Sequence, residues 1–183
     1  MARPPPPDPT FNEIGPVAPA PDKALVVFLL DESDIRSSVF EVKDTQSLLV
    51  GGRIVAPRTH PRRIITGYQA EPGKRLFMVI GQNADFMAAD LLPNRTYYVR
   101  VVSRIGWWSE RRYWLKPVDG KELNSLNFKQ LLATYRWAGM TDAADQWARS
   151  NMADIESKRT EYYPDWVRKP ESERPHLAQG DGR

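Results

Sequence analysis

Arginine and tryptophan side chains concentrate in the middle of the chain, where their types and spacing could bind an anion. Residues 53–116 contain twelve Lys or Arg and four Asp or Glu, whereas the whole chain has a net charge of only +3. Cationic groups of this kind bind anionic polymers, anionic lipid head groups or nucleic acid. The candidate ligand-binding residues are Arg62, Arg63, Arg100, Arg104, Arg111, Trp107 and Trp108.

The same charges have a second interpretation, which is a solvated strand face that pairs with acidic residues elsewhere in the chain. The segment from Asp119 onward contains eleven Asp or Glu and could supply those partners. Because the chain as a whole is only weakly cationic, nucleic acid is not expected as a partner. An anionic surface stays open as an alternative partner.

Residues suited to nucleophilic or metal chemistry are scarce. The chain has two histidines, His60 and His176, and no cysteine. A zinc site needs three or four N, S or O ligands, and a nucleophilic triad needs a base beside its nucleophile. The sequence also lacks a Walker loop and the G-x-G-x-x-G and G-x-S-x-G motifs. It therefore predicts no metal site, no cofactor and no catalytic residue.

Carboxylates could catalyse hydrolysis without histidine, as paired Asp or Glu residues do in glycosidases. The candidates in the strand-rich region are Glu41, Glu71, Asp85, Asp90 and Glu110. They fall near turns and on polar faces, so we expect solvated side chains, and the pattern pairs no two of them. Residues 31–34, DESD, lack the glycine and distal glutamate of a calcium loop. We therefore predict that the protein is not an enzyme.

Short apolar segments at about ten-residue spacing must position all of these side chains. The first, residues 24–30 (ALVVFLL), has the length of a strand, and similar segments recur as far as Val118. Turn residues separate them, for example Glu71-Pro72-Gly73-Lys74, where glycine suits a positive φ. The spacing predicts a mainly β domain over residues 23–118, an antiparallel β-sandwich of about seven or eight strands.

The N-terminal segment has a different composition. Residues 1–22 contain eight of the sixteen prolines in the chain. Proline lacks a backbone donor and fixes φ, so we predict a disordered proline-rich tail that cannot join the core. It would act as a spacer, or as a docking motif for a groove that binds polyproline.

After Pro117 the apolar spacing becomes helical, so residues 119–183 are predicted to form a helical appendage and a polar tail. The first helix is expected to stop at Gly139. The second is expected to begin after Thr141, to end at Pro164 and to pack its apolar stripe against the sandwich or the first helix. The anchors expected near the C-terminus are Trp166 and Leu177.

The stretch 91–118 is predicted to form the last hairpin, with its odd-numbered residues facing the core. A three-residue loop would place Val101 opposite Tyr113. The same register would place Arg100 opposite Trp114, a cation–π contact.

In this register Arg104 lies opposite Glu110 as an ion pair. Arg111 would point inward opposite Ser103. A guanidinium in that place must reach an edge, bond backbone carbonyls or pair with a carboxylate. Arg111 is therefore predicted to be a structural or binding anchor.

Four short motifs lie in the strand-rich region: Pro72-Gly73-Lys74, Ala89-Asp90-Leu91, Thr96-Tyr97-Tyr98-Val99, and Arg104 with Gly106 and Trp108. Together they resemble an uncharacterised family of small bacterial lipoproteins and periplasmic proteins with a transthyretin-like or PEGA-like β-sandwich domain. The Gly-Lys that this family has before its threonine is Asn94-Arg95 here. The sequence also shows neither the lipid-carrying cysteine nor a signal peptide.

The resemblance implies a non-catalytic accessory protein of the bacterial cell envelope, acting as a binding or assembly module with another envelope protein as partner. It implies a place in the periplasm or at the outer membrane, with the cytoplasm as the alternative because no signal or anchor is visible. The alternative function is a module that binds an anionic ligand through its basic strand face. No run of 18 apolar residues occurs, so no transmembrane segment is expected.

Overall fold

The computed structural model describes residues 11–30, 38–43, 47–48, 63–105 and 111–183, and the fold is mostly β with helices toward the C-terminus. The strands in chain order are β1 (Phe11–Glu13), β2 (Ala24–Leu30), β3 (Ser38–Lys43), β4 (Ser47–Leu48), β5 (Ile64–Ala70), β6 (Gly73–Ile80), β7 (Ala84–Leu91), β8 (Thr96–Ile105), β9 (Arg111–Pro117), β10 (Arg136–Met140) and β11 (His176–Leu177). The helices are α1 (Gly120–Leu123), α2 (Leu126–Leu132), α3 (Asp142–Ser150) and α4 (Met152–Arg168).

The strands form two sheets. The first has the order β1-β10-β5-β2-β8-β9 and the second has the order β11-β7-β6-β3-β4. The expectation of an antiparallel architecture is not confirmed, because β2 pairs with β8, β10 with β5 and β11 with β7 in parallel. Between residues 23 and 118 the described strands are β2 to β9, in line with the expected seven or eight, and the short strands β1, β10 and β11 extend the sheets from outside that range.

Strand β2 is buried along its whole length, on both of its faces. Its even-numbered residues join a cluster that contains side chains from both sheets, such as Phe77 of β6 and Val99 of β8. Its odd-numbered residues join a second cluster with Leu123 of α1 and Phe128 of α2. The first sheet is therefore covered on one side by the second sheet and on the other by α1 and α2.

The outer side of the second sheet is covered by α3 and α4. Met78, Ile80 and Phe86 form a cluster there with helical residues such as Ile155 and Trp166. This agrees with the prediction that the apolar stripe of the last helical segment packs against the β-rich part of the chain. Trp166 and Leu177, the two anchors expected near the C-terminus, are both buried.

The prediction that residues 1–22 stay outside the core is wrong for the part that is described. Strand β1 pairs antiparallel with β10 at the edge of the first sheet. The amide of Ala20 donates to Gln69 Oε1 (2.9 Å), and Gln69 Nε2 donates to the carbonyl of Ala18 (2.8 Å). Val17 packs against the cluster beneath α1 and α2. Gln69 thus supplies the hydrogen bonds that a proline-rich strand cannot form with a neighbour.

The first predicted helix is too long, because α2 ends at Leu132 and the following residues form β10 instead. Tyr135 and Trp137 face one side of this strand and Ala138 the other, a two-residue alternation that the helical pattern concealed. The amide of Arg136 donates to the carbonyl of Arg63 at the start of the pairing with β5 (2.9 Å). Gly139 is therefore a strand residue and does not end a helix.

The second predicted helix is interrupted at Asn151 and continues past Pro164. Asn151 Nδ2 donates to the carbonyl of Trp147 (2.8 Å), which closes α3 and separates it from α4. Proline normally ends a helix because it lacks an amide hydrogen. Here α4 runs on to Arg168, and its last turn is held by the buried Trp166.

The odd-numbered residues of the last hairpin face the core as predicted, but the register differs. The even-numbered face was expected to be exposed, and this is wrong for Tyr98, which is buried against Phe128. Val101 lies opposite Leu115, and Arg100 lies opposite Lys116. The pairing is shifted by two residues from the predicted register, and a shift of two residues leaves each side chain on its original face. Tyr113 is buried, as its place on the core face requires. The expected cation–π contact of Arg100 with Trp114 is therefore wrong.

The predicted positive φ at Gly73 is confirmed, and Asn94 adopts a second left-handed turn conformation. Gly73 has φ 98° in the turn that carries the chain from the first sheet to the second. Asn94 has φ 58° before β8, in the place where the resembling family has glycine. Asparagine tolerates this left-handed conformation better than other side chains do.

Residues Phe128 and Leu126 of α2 allow a matched test of how the first sheet is covered. Phe128 is 1% exposed and Leu126 is 68% exposed. We expect Phe128→Ala to lower the free energy of unfolding by about 3–5 kcal/mol. Leu126→Ala should change it by no more than about 0.5 kcal/mol. Urea unfolding of both variants measures this, and equal losses would contradict the packing of α2 on β2.

Candidate functional site

The predicted ligand-binding residues do not form one site among the described residues. Arg62, Trp107 and Trp108 lie outside those residues, as does Glu110. Arg104 and Arg111 are paired through their backbones with Arg112 and Ile105 across the hairpin. The predicted pairing of Arg111 with Ser103 is wrong, because Ser103 lies opposite Tyr113.

The two remaining arginines are engaged in structural contacts. Arg63 Nη1 donates to Thr134 Oγ1 (2.9 Å) at the end of α2. The guanidinium of Arg100 pairs with Glu122 of α1 and lies 5.5 Å from the centre of the Phe128 ring. Arg100 therefore holds α1 and α2 against the sheet. This contact agrees with the second interpretation of the basic residues, in which they pair with acidic residues of the helical segment.

A pocket of about 370 Å³ lies where β9, the edge strand of the first sheet, approaches α4. From the strands it is lined by Asn83, Asp85, Arg112 and Trp114. From the helical side it is lined by Tyr162, Asp165, Trp166 and Lys169. We call this the β9–α4 pocket. Its size falls within the range of about 300–1,000 Å³ that is usual for small-molecule sites.

Asn83 fixes the strand side of the pocket. Its Oδ1 accepts a hydrogen bond from the amide of Tyr113 (3.2 Å), and its Nδ2 donates to the carbonyl of Tyr113 (3.5 Å). The side-chain amide thereby bonds the edge of β9 as the backbone of a neighbouring strand would. The β6–β7 turn is tied to β9 in this way, which positions Asp85 at the start of β7.

Asp85 is the buried carboxylate of the pocket, with a side chain that is 6% exposed. Its Oδ1 lies 3.4 Å from Nζ of Lys169, the residue that follows α4. Burial raises the pKa of Asp85 above its usual value, and the Lys169 ammonium and the amide of Phe86 only partly offset this. Such a carboxyl group in a cleft is a frequent mark of a functional site.

Aromatic residues form the other wall. Trp166 stacks on Tyr163, with ring centres 5.9 Å apart and an angle of 20° between the planes. The guanidinium of Arg174 lies 5.3 Å from the centre of the Trp166 ring. Phe86 contacts both Tyr163 and Trp166. These contacts fix Trp166 as a rigid wall, whereas Trp114 on β9 is partly exposed beside the pocket.

A second buried carboxylate, Glu41, lies away from this pocket between the two sheets. It is 1% exposed, its Oε2 accepts a hydrogen bond from the Tyr68 hydroxyl, and its Oε1 lies 3.7 Å from Nη1 of Arg75. Burial and the Glu41 carboxylate together raise the pKa of Tyr68. Tyr68 therefore stays protonated as the donor to Glu41, and the group is suited to a structural role.

The expectation that the strand carboxylates are solvated is wrong for Glu41 and Asp85. The burial of Glu41 could have been predicted from the alternation of β3, because Glu41 lies on the same face as the buried Val39. Asp85 lies between Ala84 and Phe86, in a strand that is apolar on both faces. Residues of α4 form the aromatic wall of the pocket. The sequence predicted that an apolar stripe of this helix packs against the rest of the protein, but it gave no indication of a cavity.

No protein-family model matches this chain, and no curated protein sequence matches it. In the part of the chain that the structure describes, no three His, Asp or Glu residues are grouped so that they could hold a metal ion. None of the helices in the described ranges is long and apolar enough to cross a membrane.

The raised pKa of Asp85 predicts a specific dependence of stability on pH. The folded protein binds this proton more tightly than the unfolded chain, whose carboxyl has the ordinary pKa of 3.8. The stabilising contribution is therefore fully present below pH 3.8 and is lost as the pH rises through the folded-state pKa. Asp85→Asn should remove this loss.

Urea unfolding over a pH series measures the effect. The matched control is Asp165→Asn, since the Asp165 side chain is 73% exposed and pairs with Arg168. The difference in unfolding free energy between Asp85→Asn and the unsubstituted protein should grow with pH, and that of the control should stay level. Parallel curves for Asp85→Asn and the control would contradict the burial of a charged carboxylate.

Proposed function

We propose that the protein is a non-catalytic binding module that takes a small ligand, or a protruding group of a larger one, in the β9–α4 pocket. The observation that carries this proposal is the position of Asp85, a buried carboxylate beside an open cavity with aromatic walls. A polar group in such a place is costly unless it is paired. Lys169 only partly offsets the burial of Asp85, and a ligand that donates a hydrogen bond to this carboxylate would offset more of the cost.

Binding is favoured over catalysis because the polar groups of the pocket are already neutralised in pairs. Asp85 is paired with Lys169, and Asp165 is paired with Arg168 at 2.6 Å. A general acid or base must instead be within reach of a proton on the substrate and free to exchange it. The pairs orient the carboxylates as hydrogen-bond acceptors, which is the requirement for recognition.

The scaffold that we propose is a β-sandwich in the broad sense, two sheets packed on a shared core and extended by parallel edge strands. The cluster of side chains drawn from both sheets supports this. We further propose that the module works in the bacterial cell envelope with another envelope protein as partner. The support for this location is the resemblance of the strand and turn motifs to small periplasmic proteins and lipoproteins.

A substitution that fills the pocket tests the binding function. Gln82 is exposed and contributes to the pocket lining, so Gln82→Trp should block the cavity without disturbing the core. The control is Gln130→Trp, on the exposed side of α2. In a ligand-observed NMR screen of small polar fragments, we expect hits that Gln82→Trp abolishes and Gln130→Trp preserves. A screen without hits, or hits that Gln82→Trp leaves unchanged, would reject the proposal.

Fractionation of cells that express the complete gene from its own start tests the proposed location. We expect the protein in the periplasmic or membrane fraction, and recovery only in the cytoplasm would contradict an envelope function.

A second candidate function is binding of an anionic surface by the outer face of β8 and β9. The observation that favours it is the register of this hairpin, which places Arg104 directly opposite Arg112, with Lys116 exposed further along β9. Cationic side chains at a protein surface attract anionic lipid head groups. Binding to vesicles with anionic lipid should then fall steeply with added salt and be weakened by Lys116→Ala.

A further inference from the structure

We propose that the ligand of the β9–α4 pocket is an uncharged sugar, bound as one or two rings of a glycan; this rests on the proposed function of the pocket. Four features point to this chemistry: balanced charge, paired carboxylates, amide groups at the rim and aromatic walls. None of them is sufficient alone, and together they distinguish a sugar from charged small molecules.

The charge of the pocket lining is balanced. The charged side chains of the lining are the acids Asp85 and Asp165 and the bases Arg112 and Lys169. Asp85 pairs with Lys169, and Asp165 pairs with Arg168 beside the lining. A phosphate or carboxylate ligand would approach two aspartates, and an ammonium ligand would approach two cations. At separations of a few ångströms these unfavourable terms offset the favourable ones. A neutral ligand meets no such opposition.

The hydrogen-bonding capacity of the lining is mixed. A carboxylate accepts at about four lone-pair positions, and Asp85 uses part of them on Lys169 and on the amide of Phe86. Gln82, exposed at the rim, has both donors and an acceptor in one side chain. Sugar hydroxyls also donate and accept at once, so a ring with several hydroxyls satisfies carboxylates, amides and cations together.

The aromatic residues supply the remaining requirement, an apolar surface for the C–H groups on a sugar ring. Trp166 is 5% exposed and is fixed by Tyr163 and Arg174, so it contributes an immobile wall. Trp114 is partly exposed on β9 and is the other tryptophan that lines the pocket. An aromatic side chain combines a large apolar area with little loss of conformational entropy on binding. Trp114 is therefore assigned as the stacking residue.

Isothermal titration calorimetry with named probes tests the assignment. The neutral probes are cellobiose, maltose and N,N′-diacetylchitobiose, and the charged probes are sodium phosphate and choline chloride. We expect saturable binding of at least one neutral disaccharide and none of the charged probes. Trp114→Ala should weaken that binding at least tenfold. The control, Lys129→Ala, alters an exposed residue of α2 outside the pocket lining and should leave it unchanged.

The outcomes distinguish a failure of the sugar assignment from a failure of the proposed binding function. Binding of only phosphate or choline, or disaccharide binding that Trp114→Ala does not weaken, would overturn the sugar assignment. So would the absence of disaccharide binding in a protein whose pocket still binds fragments that Gln82→Trp abolishes. If neither disaccharides nor fragments bind, the proposed function of the pocket fails as well. Circular dichroism of Trp114→Ala confirms that a loss of binding is not a loss of fold.

Discussion

The burial of β2 on both faces is the constraint on which the rest of the structure depends. Each of its seven residues is less than 5% exposed, and a fully buried aliphatic side chain contributes about 1.5–3 kcal/mol. A strand can be buried in this way only if neighbours pair with both edges and layers cover both faces. Strands β5 and β8 supply the edges, the second sheet covers one face, and α1 and α2 cover the other.

The β9–α4 pocket lies where this layered arrangement ends. The first sheet ends at β9, and α4 covers the second sheet, so the edge of one layer meets the end of another. Asn83 bonds the peptide of Tyr113 at that edge, but no strand continues the sheet beyond it among the described residues. The result is a gap that is bordered by backbone edges, a helix end and buried aromatic residues. Such junctions are where concave sites with a few fixed polar groups occur.

Much of the strand pattern could be predicted from the sequence, because alternation and turn residues are local signals. The fully apolar segment 24–30 identified β2, and Gly73 and Asn94 marked turns that the structure confirms. The pairing of β1 with β10 and the use of residues 136–140 as a strand depend on distant neighbours, which a local pattern does not encode. The pocket was missed for the same reason. Asp85 and Trp166 are 81 positions apart in sequence, and only the packing of α4 brings them together.

The most direct test of the central claim is a map of ligand-induced changes in the ¹H–¹⁵N NMR spectrum of the full chain. Backbone amides and tryptophan indole groups would be followed during titration with N,N′-diacetylchitobiose, cellobiose or maltose. The account predicts that the largest shifts cluster at Asn83, Asp85 and the indole groups of Trp114 and Trp166. Shifts confined to Arg63, Arg100 and Lys116, or scattered without saturation, would contradict it.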